Sequence, residues 1–198
     1  MYLYGASGHA KVIIDILRAN NIEVTGLVDD NLALSELCGL PISHDAKNLS
    51  PIIVSVGNCQ IRKRIVDNIC RTNDIKTVFP IAIHPSAIVS QSASIGEGTV
   101  VMQGAILQAD VKVGRHCIIN TKASIDHECT IEDFVHIAPG CTLSGNVVVG
   151  ECSWIGVGST IIQGIKIGKN CIIGAGSVVT KDIPDGCKAY GVPCKVVG

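Results

Sequence analysis

The chain has 198 residues, 47% of them apolar, and a formal net charge of -1, so it can build one large or two small domains with a packed core. No basic block or arginine-rich stretch is present to meet a phosphate backbone, which argues against nucleic-acid binding and leaves a small anionic ligand open. No apolar run approaches the roughly 20 residues that span a membrane.

The opening residues, MYLYGASGHAK, lack a basic n-region, an apolar h-region and a cleavage site, which predicts a cytoplasmic protein. A strand that begins almost at Met1 suggests a start further upstream. From there to Asn31 the pattern is strand, glycine turn, amphipathic helix, strand, with Val12, Ile13, Ile16 and Leu17 as the helical stripe and Asp29 and Asp30 ending the second strand. A polar, Pro-containing stretch from Asn31 to Pro51 follows, then a buried strand, IIVSVGN, a helix, CQIRKRIVDNICR, and a strand, IKTVF. This alternation predicts a small parallel α/β domain over residues 1–80, with Pro80 at its boundary. Glycine turns that open into helices offer N–H groups to phosphate. GASGHAK has Gly5 and Gly8 but not the three-glycine dinucleotide fingerprint, which disfavours NAD, and a plain structural turn remains an equal reading. Asp29 and Asp30, at the carboxyl end of the next strand, suit a ribose or a base.

From Ala82 the sequence divides into sixes without a break: AIHPSA, IVSQSA, SIGEGT, and so on to VVTKDI. The second position of all 17 hexads, from Ile83 to Val179, is Ile, Val or Leu. The sixth is always Ala, Cys, Ser, Thr, Val or Ile, and Gly fills the third in six hexads. That period predicts a parallel β-helix over residues 81–198, three hexads to a coil, with coils about 4.8 Å apart. The glycines are expected to supply backbone freedom at turns, and positions four and five to face solvent.

The register assigns the cysteines. There is no CxxC pair among the ten, and Cys117, Cys129, Cys141 and Cys171 all occupy the small sixth position, so they are expected to pack in the core rather than act as nucleophiles or ligands. Cys152, at a fifth position, is expected near the surface. His116, His127 and His136 fall at positions five, four and one, on different faces, so one chain does not gather them around a metal, although a site between subunits, as in β-helical carbonic anhydrases, is not removed by that argument.

His127 and Glu128 occupy positions four and five of SIDHEC, an outward corner. A carboxylate beside an imidazole raises its basicity and holds its tautomer, which a general base near neutral pH requires. One coil on, the position stacked on His127 is Gly145, whose missing side chain leaves room for a substrate and whose N–H can meet an oxyanion. A solvated turn is the plain alternative for an HE pair.

The order YGASGH, VDD, VGN, a hexapeptide array, NTKASIDHECTI and YGVPCKV resembles the sugar-acetyltransferase branch of the hexapeptide acyltransferases, with the PglD-type UDP-4-amino-sugar N-acetyltransferases and NeuD-type sialic-acid O-acetyltransferases as near families. The resemblance covers essentially the whole chain. It implies an N-terminal Rossmann-like α/β domain that holds a nucleotide-sugar, a left-handed parallel β-helix and acetyl-CoA as donor; the histidine positions and the lack of ligand spacing, not the resemblance, set the expectation of no metal. It also implies a homotrimer with active sites between subunits. His127 is then similar to the general base and Glu128 to its orienting partner. His136, Gly145 and Gly174 fall to acetyl-CoA, with the Gly145 N–H near the thioester carbonyl. Ser7, Gly8, His9, Asp29, Asp30 and Gly57 fall to the nucleotide, and Asn120 to the sugar pocket. Cys194 departs from the family's GVPAK ending. The expected reaction is N-acetylation of a nucleotide-activated amino sugar by direct attack on the thioester. The alternatives are O-acetylation of a sialic acid or other sugar hydroxyl, and a non-catalytic nucleotide-binding scaffold.

Overall fold

The computed structural model describes residues 1–197. Its first part holds β1 (Tyr2–Tyr4), α1 (Gly8–Ala19), β2 (Gly26–Val28), β3 (Glu36–Leu37), β4 (Leu40–Ser43), β5 (Ile52–Val54) and α2 (Cys59–Thr72). The sheet runs β3-β4-β2-β1-β5, with β1 parallel to both of its neighbours. Alternation along β1 sends Leu3 to the α1 side and Tyr2 and Tyr4 to the α2 side. Helix α1 buries Ala10, Ile13, Ile14, Ile16 and Leu17, the one-sided spacing expected of a helix lying on a core. Helix α2 starts where the Asn58 side chain accepts the Ile61 N–H at 3.0 Å.

Two features of this part differ from expectation. The stretch from Asn31 to Pro51 contains the hairpin β3–β4, whose tip residues Cys38 and Gly39 have φ of 54° and 78°. A tight hairpin turn needs two such angles and usually takes them from Asn-Gly or Asp-Gly, so a Cys in the first place hid it. The strand expected over IKTVF does not form. Val78 accepts one ladder bond from the Ile52 N–H at 3.0 Å, but its own amide is taken by the Ser50 hydroxyl, and the pairing goes no further.

The second part is a parallel β-helix of seventeen two-residue strands, from Ala82–Ile83 to Val178–Val179, each formed by positions one and two of a hexad. Three sheets result, and each strand pairs with the one 18 residues on, as in Ile106 with Ser124 and Leu107 with Ile125. The first face carries the strands that begin at Ala82, Val100, Ile118, His136, Trp154 and Ile172, and the closing strands Lys188–Tyr190 and Lys195–Val197 extend it. The second runs from Ile88 to Val178 and the third from Ser94 to Lys166. From Val101 onward every second-position side chain is buried in one continuous core, and only Ile83, Val89 and Ile95 of the first coil are partly open. Cys117, Cys129, Cys141 and Cys171 are fully buried in that core, as their sixth positions predict.

The glycines take a different role from the one expected. Left-handed backbone falls at the fifth position, with φ between 52° and 76° in every hexad from Gly98 to Gly176, whether the residue is Gly, Asp, His, Lys, Glu, Phe, Asn or Cys. The third-position glycines have no such angle. They are small because the next coil lies directly against them: a Cβ on Gly150 would stand 2.6 Å from the Gly168 carbonyl carbon and the Lys169 nitrogen.

The α/β part packs along the first face and one edge. Helix α1 lies on Ala82, Val100, Met102 and Ile118. Helix α2 and Phe79 cover the corner between the third and first faces, where Phe134 and Cys152 join Cys59, Val66 and Ile69. Cys152 is therefore buried, against expectation, because a second element roofs its corner. His116 is buried there too, edge-on to Phe79 and stacked on Phe134 with centroids 5.1 Å apart. Among the described residues no helix is long and apolar enough to cross a membrane. Gly150→Ala should force two coils apart and cost about 1–3 kcal/mol, read as a lower urea midpoint.

Candidate functional site

His127 and Glu128 stand on the corner that joins the second face to the third, with half and nearly two-thirds of their side chains exposed. The register that turns them outward sends Cys129, the next residue, fully inside. Imidazole Nδ1 and Glu128 Oε2 are 3.1 Å apart. With a carboxylate as acceptor, the proton belongs on Nδ1 and the lone pair on Nε2. The pair forms because Glu128 has φ of 60°, which bends the chain so that successive side chains share one side.

Gly145 lies under this ring, and the space it leaves is filled differently from expectation. A Cβ there would be 2.6 Å from Cε1 and Nε2 of His127, so the missing side chain makes room for the imidazole itself rather than for a substrate. The Gly145 N–H donates to no acceptor among the described residues, which leaves it free for an oxyanion.

His136 lies elsewhere, on the first face, buried where the α/β part meets the β-helix. Its Nδ1 is 3.0 Å from the Gly57 carbonyl, its Nε2 is 3.1 Å from Asn120 Nδ2, and its ring stacks on Trp154 at 5.2 Å. His9, on the first turn of α1, faces it with centroids 6.4 Å apart. Burial pulls both imidazoles down to about 4, with the Gly57 carbonyl working against this at His136 and neighbouring positive charge adding to it at both. Burial does the same to His116, also at about 4. All three are therefore neutral near pH 7.

The remaining expected residues divide between contact and support. Ser7 caps α1 without a side-chain bond, so the first-turn amides around Gly8 and His9 stay available to an anion. Asp29 is spent on the backbone: Oδ2 accepts the Ala6 N–H at 2.7 Å and Oδ1 the Asn31 N–H at 2.9 Å, which fixes the glycine turn. Asp30 accepts the Tyr4 hydroxyl at 2.6 Å and borders a cavity of about 680 Å³ with Gln60, Ile61 and Arg64. Burial, then Asp30, pushes the Tyr4 phenol above its usual range, so it remains a donor. Gly174 sits apart from both histidines, where a Cβ would meet Tyr190 Cβ at 2.6 Å.

Trp154 was not expected in the site, although it stacks one coil after His136 and the register that placed Gly145 under His127 locates it. Tyr4 and the buried Arg62 carry no sequence signal. Among the described residues no group of three or more His, Cys, Asp or Glu is placed to hold a metal.

Comparison with known proteins places the chain among sugar acetyltransferases. The PglD N-terminal domain matches over residues 1–69, and bacterial transferase hexapeptide (six repeats) over residues 146–181. GDP-perosamine N-acetyltransferase of Escherichia coli O157:H7 is 30% identical over 174 residues, spanning 81% of this chain and 77% of that one. UDP-N-acetylbacillosamine N-acetyltransferase of Bacillus subtilis is 40% identical over 110 residues, 50% of each chain. PerB from Caulobacter crescentus, solved in complex with CoA and GDP-perosamine, has a TM-score of 0.93 at 38% identity, covering 100% of this chain and 96% of that one. The acetyltransferase domain of PglB from Neisseria gonorrhoeae, solved with acetyl coenzyme A, has a TM-score of 0.90 at 37% identity, covering 99% and 98%. An α/β unit joined to a hexapeptide solenoid, matched over nearly the whole chain to these acetyltransferases, defines a hexapeptide acyltransferase. Within that class, the chain belongs to the PglD-like family of sugar acetyltransferases.

Two outcomes follow from the site. His9, His116 and His136 have folded values near 4 against 6.5 in the open chain. The unfolded state then binds more protons between those limits, so this contribution to stability should be complete above about pH 6.5 and fall as pH drops toward 4, with about two to three protons taken up by these histidines on unfolding at pH 5. Urea titrations at pH 7 and 5 measure this. Glu128→Gly relieves a left-handed conformation that costs an L-residue about 1 kcal/mol, so its thermal midpoint should be no lower than that of the parent while turnover falls.

Proposed function

We propose that this protein transfers the acetyl group of acetyl-CoA to the amino group of a nucleotide-activated 4-amino sugar, with His127 as general base. The His127–Glu128 pair carries this reading: Nδ1 is tied to a carboxylate at 3.1 Å, and Nε2, which has no hydrogen-bond partner among the described residues, lies over Gly145, whose N–H is also unpaired. The neutral acceptor amine attacks the thioester carbonyl, and Nε2 takes its proton as the C–N bond forms. Glu128 stabilises the imidazolium, and the Gly145 N–H meets the oxyanion of the tetrahedral intermediate. Collapse expels the CoA thiolate, which recovers the proton from His127. No covalent acyl-enzyme is needed.

The nucleotide-sugar is held in the α/β part, which we take as residues 1–80, and acetyl transfer occurs on the β-helix of residues 81–198. The first turn of α1, at Ser7, Gly8 and His9, receives the diphosphate, and the cavity beside Asp30 receives the nucleoside. Gly57 and His136, expected on the nucleotide and on acetyl-CoA, share one hydrogen-bonded cluster with Asn120, and on that ground we assign all three to the sugar's place. Asp29 acts through the turn it braces, and the cofactor runs along the later coils that carry Gly174.

One chain separates the two halves of this site, because His127 projects from the corner between the second and third faces while His136 lies on the first. A homotrimer resolves this by setting the His127 corner of one copy against the first face of its neighbour. The GDP- and UDP-linked substrates in the names of the relatives support an amine on a nucleotide-linked sugar as acceptor. Ten unpaired cysteines fit a reducing cytoplasm.

His127→Ala should still bind acetyl-CoA by calorimetry while turnover falls about 10²–10⁴-fold; near-normal turnover would remove it as the base. In a panel of GDP- and UDP-linked 4-amino sugars and CMP-sialic acid, product should come only from an amine, and acetylation of the sialic acid alone would overturn the acceptor assignment.

A further inference from the structure

Arg62, on the inward side of α2, is only 1% exposed and makes no ion pair among the described residues. Burying a cation without a counter-charge is costly unless its donors are all satisfied. Here they are. Nε donates to the His116 carbonyl at 2.8 Å, Nη1 to those of Val56 and Gly57 at 2.8 and 3.0 Å, and Nη2 to those of Phe134 and Val135 at 2.7 and 3.4 Å. A guanidinium has five N–H donors in a fixed fork, and each meets a different carbonyl. Two of the carbonyls belong to the turn after β5 and three to the β-helix, so one side chain fixes the separation of the two parts.

The residues it grips bracket His136. The Gly57 carbonyl is shared between Arg62 Nη1 and His136 Nδ1, and Val135 directly precedes His136. A carbonyl only accepts, so its approach assigns the His136 proton to Nδ1 and leaves Nε2 to accept from Asn120. Resting on the acetyltransfer reading above, we propose that Arg62 is a positioning residue: it holds the Val56–Gly57 turn against the β-helix so that His136 enters the acceptor pocket as a single Nδ1–H tautomer. Lysine cannot replace it, because an ammonium has three donors and no planar fork.

Burial first, and the Arg62 charge as a further cause, lower His136, while the Gly57 bond raises it. The cation and the shared carbonyl thus act in opposite senses on one ring, and the neutral form persists.

The test is nitrogen NMR of histidine-labelled full-length protein, parent and Arg62→Lys, beside steady-state kinetics. The parent should show His136 with a protonated Nδ1 and a bare Nε2 from pH 6 to 9, and a mixture of tautomers there would overturn the proposal even if the variant does not fold. Folded Arg62→Lys should show both tautomers, with kcat down about tenfold to a hundredfold and KM for acetyl-CoA within about twofold. An unchanged His136 signal in folded Arg62→Lys makes Arg62 a mere tie between the two parts and sinks the proposal. The ring signals are read without turnover, so a failed acetyltransferase assay would count against the functional reading alone.

Discussion

Backbone pairing between residues 18 apart dictates where every side chain of the β-helix points. Each coil repeats the bonds of the one below, so a residue's place in its hexad decides whether it enters the prism, lies on a face or turns a corner. This is why three neighbours, His127, Glu128 and Cys129, differ so widely: two project into solvent and the third is fully enclosed. The same pairing puts Gly145 under His127 and Trp154 against His136 without any loop having to fold into place. A site built on such a ladder is held by the core itself, which suits chemistry that depends on fixed distances.

The aliphatic ladder was legible because burial selects Ile, Val or Leu at every second position, and the fates of Cys117, Cys129, Cys141 and Cys171 followed from it. The left-handed corner was not, because from Gly98 to Gly176 the stacked coils share that angle at position five whatever the residue: Lys122, Phe134 and Asn170 adopt it alike. Cys152 and His116 were misjudged or left open for a different reason. Their corner is covered by α2 and Phe79, partners distant in sequence that a local period does not report. The hairpin at Cys38–Gly39 hid behind an unusual turn residue.

The candidate site divides along the same line. His127, Glu128 and Gly145 come from the repeat and could be read from spacing. The cluster around His136 comes from docking two parts of the chain, and its organiser, Arg62, reads in CQIRKRIVDNICR as one more basic residue on a helix. Asp29 and Asp30 look equivalent in sequence, yet one is committed to backbone amides and the other borders the cavity with Tyr4. Adjacent identical residues separate in role once the strand ends and the turn between them takes its shape.

Because the left-handed angle recurs at the fifth position of every hexad from Gly98 to Gly176, the His/Glu corner needs nothing special from its own coil. Two consecutive residues and a glycine one rung later make a portable cassette. In principle, lineages sharing this solenoid can slide their chemistry up or down the column by exchanging three amino acids, without rebuilding the scaffold beneath.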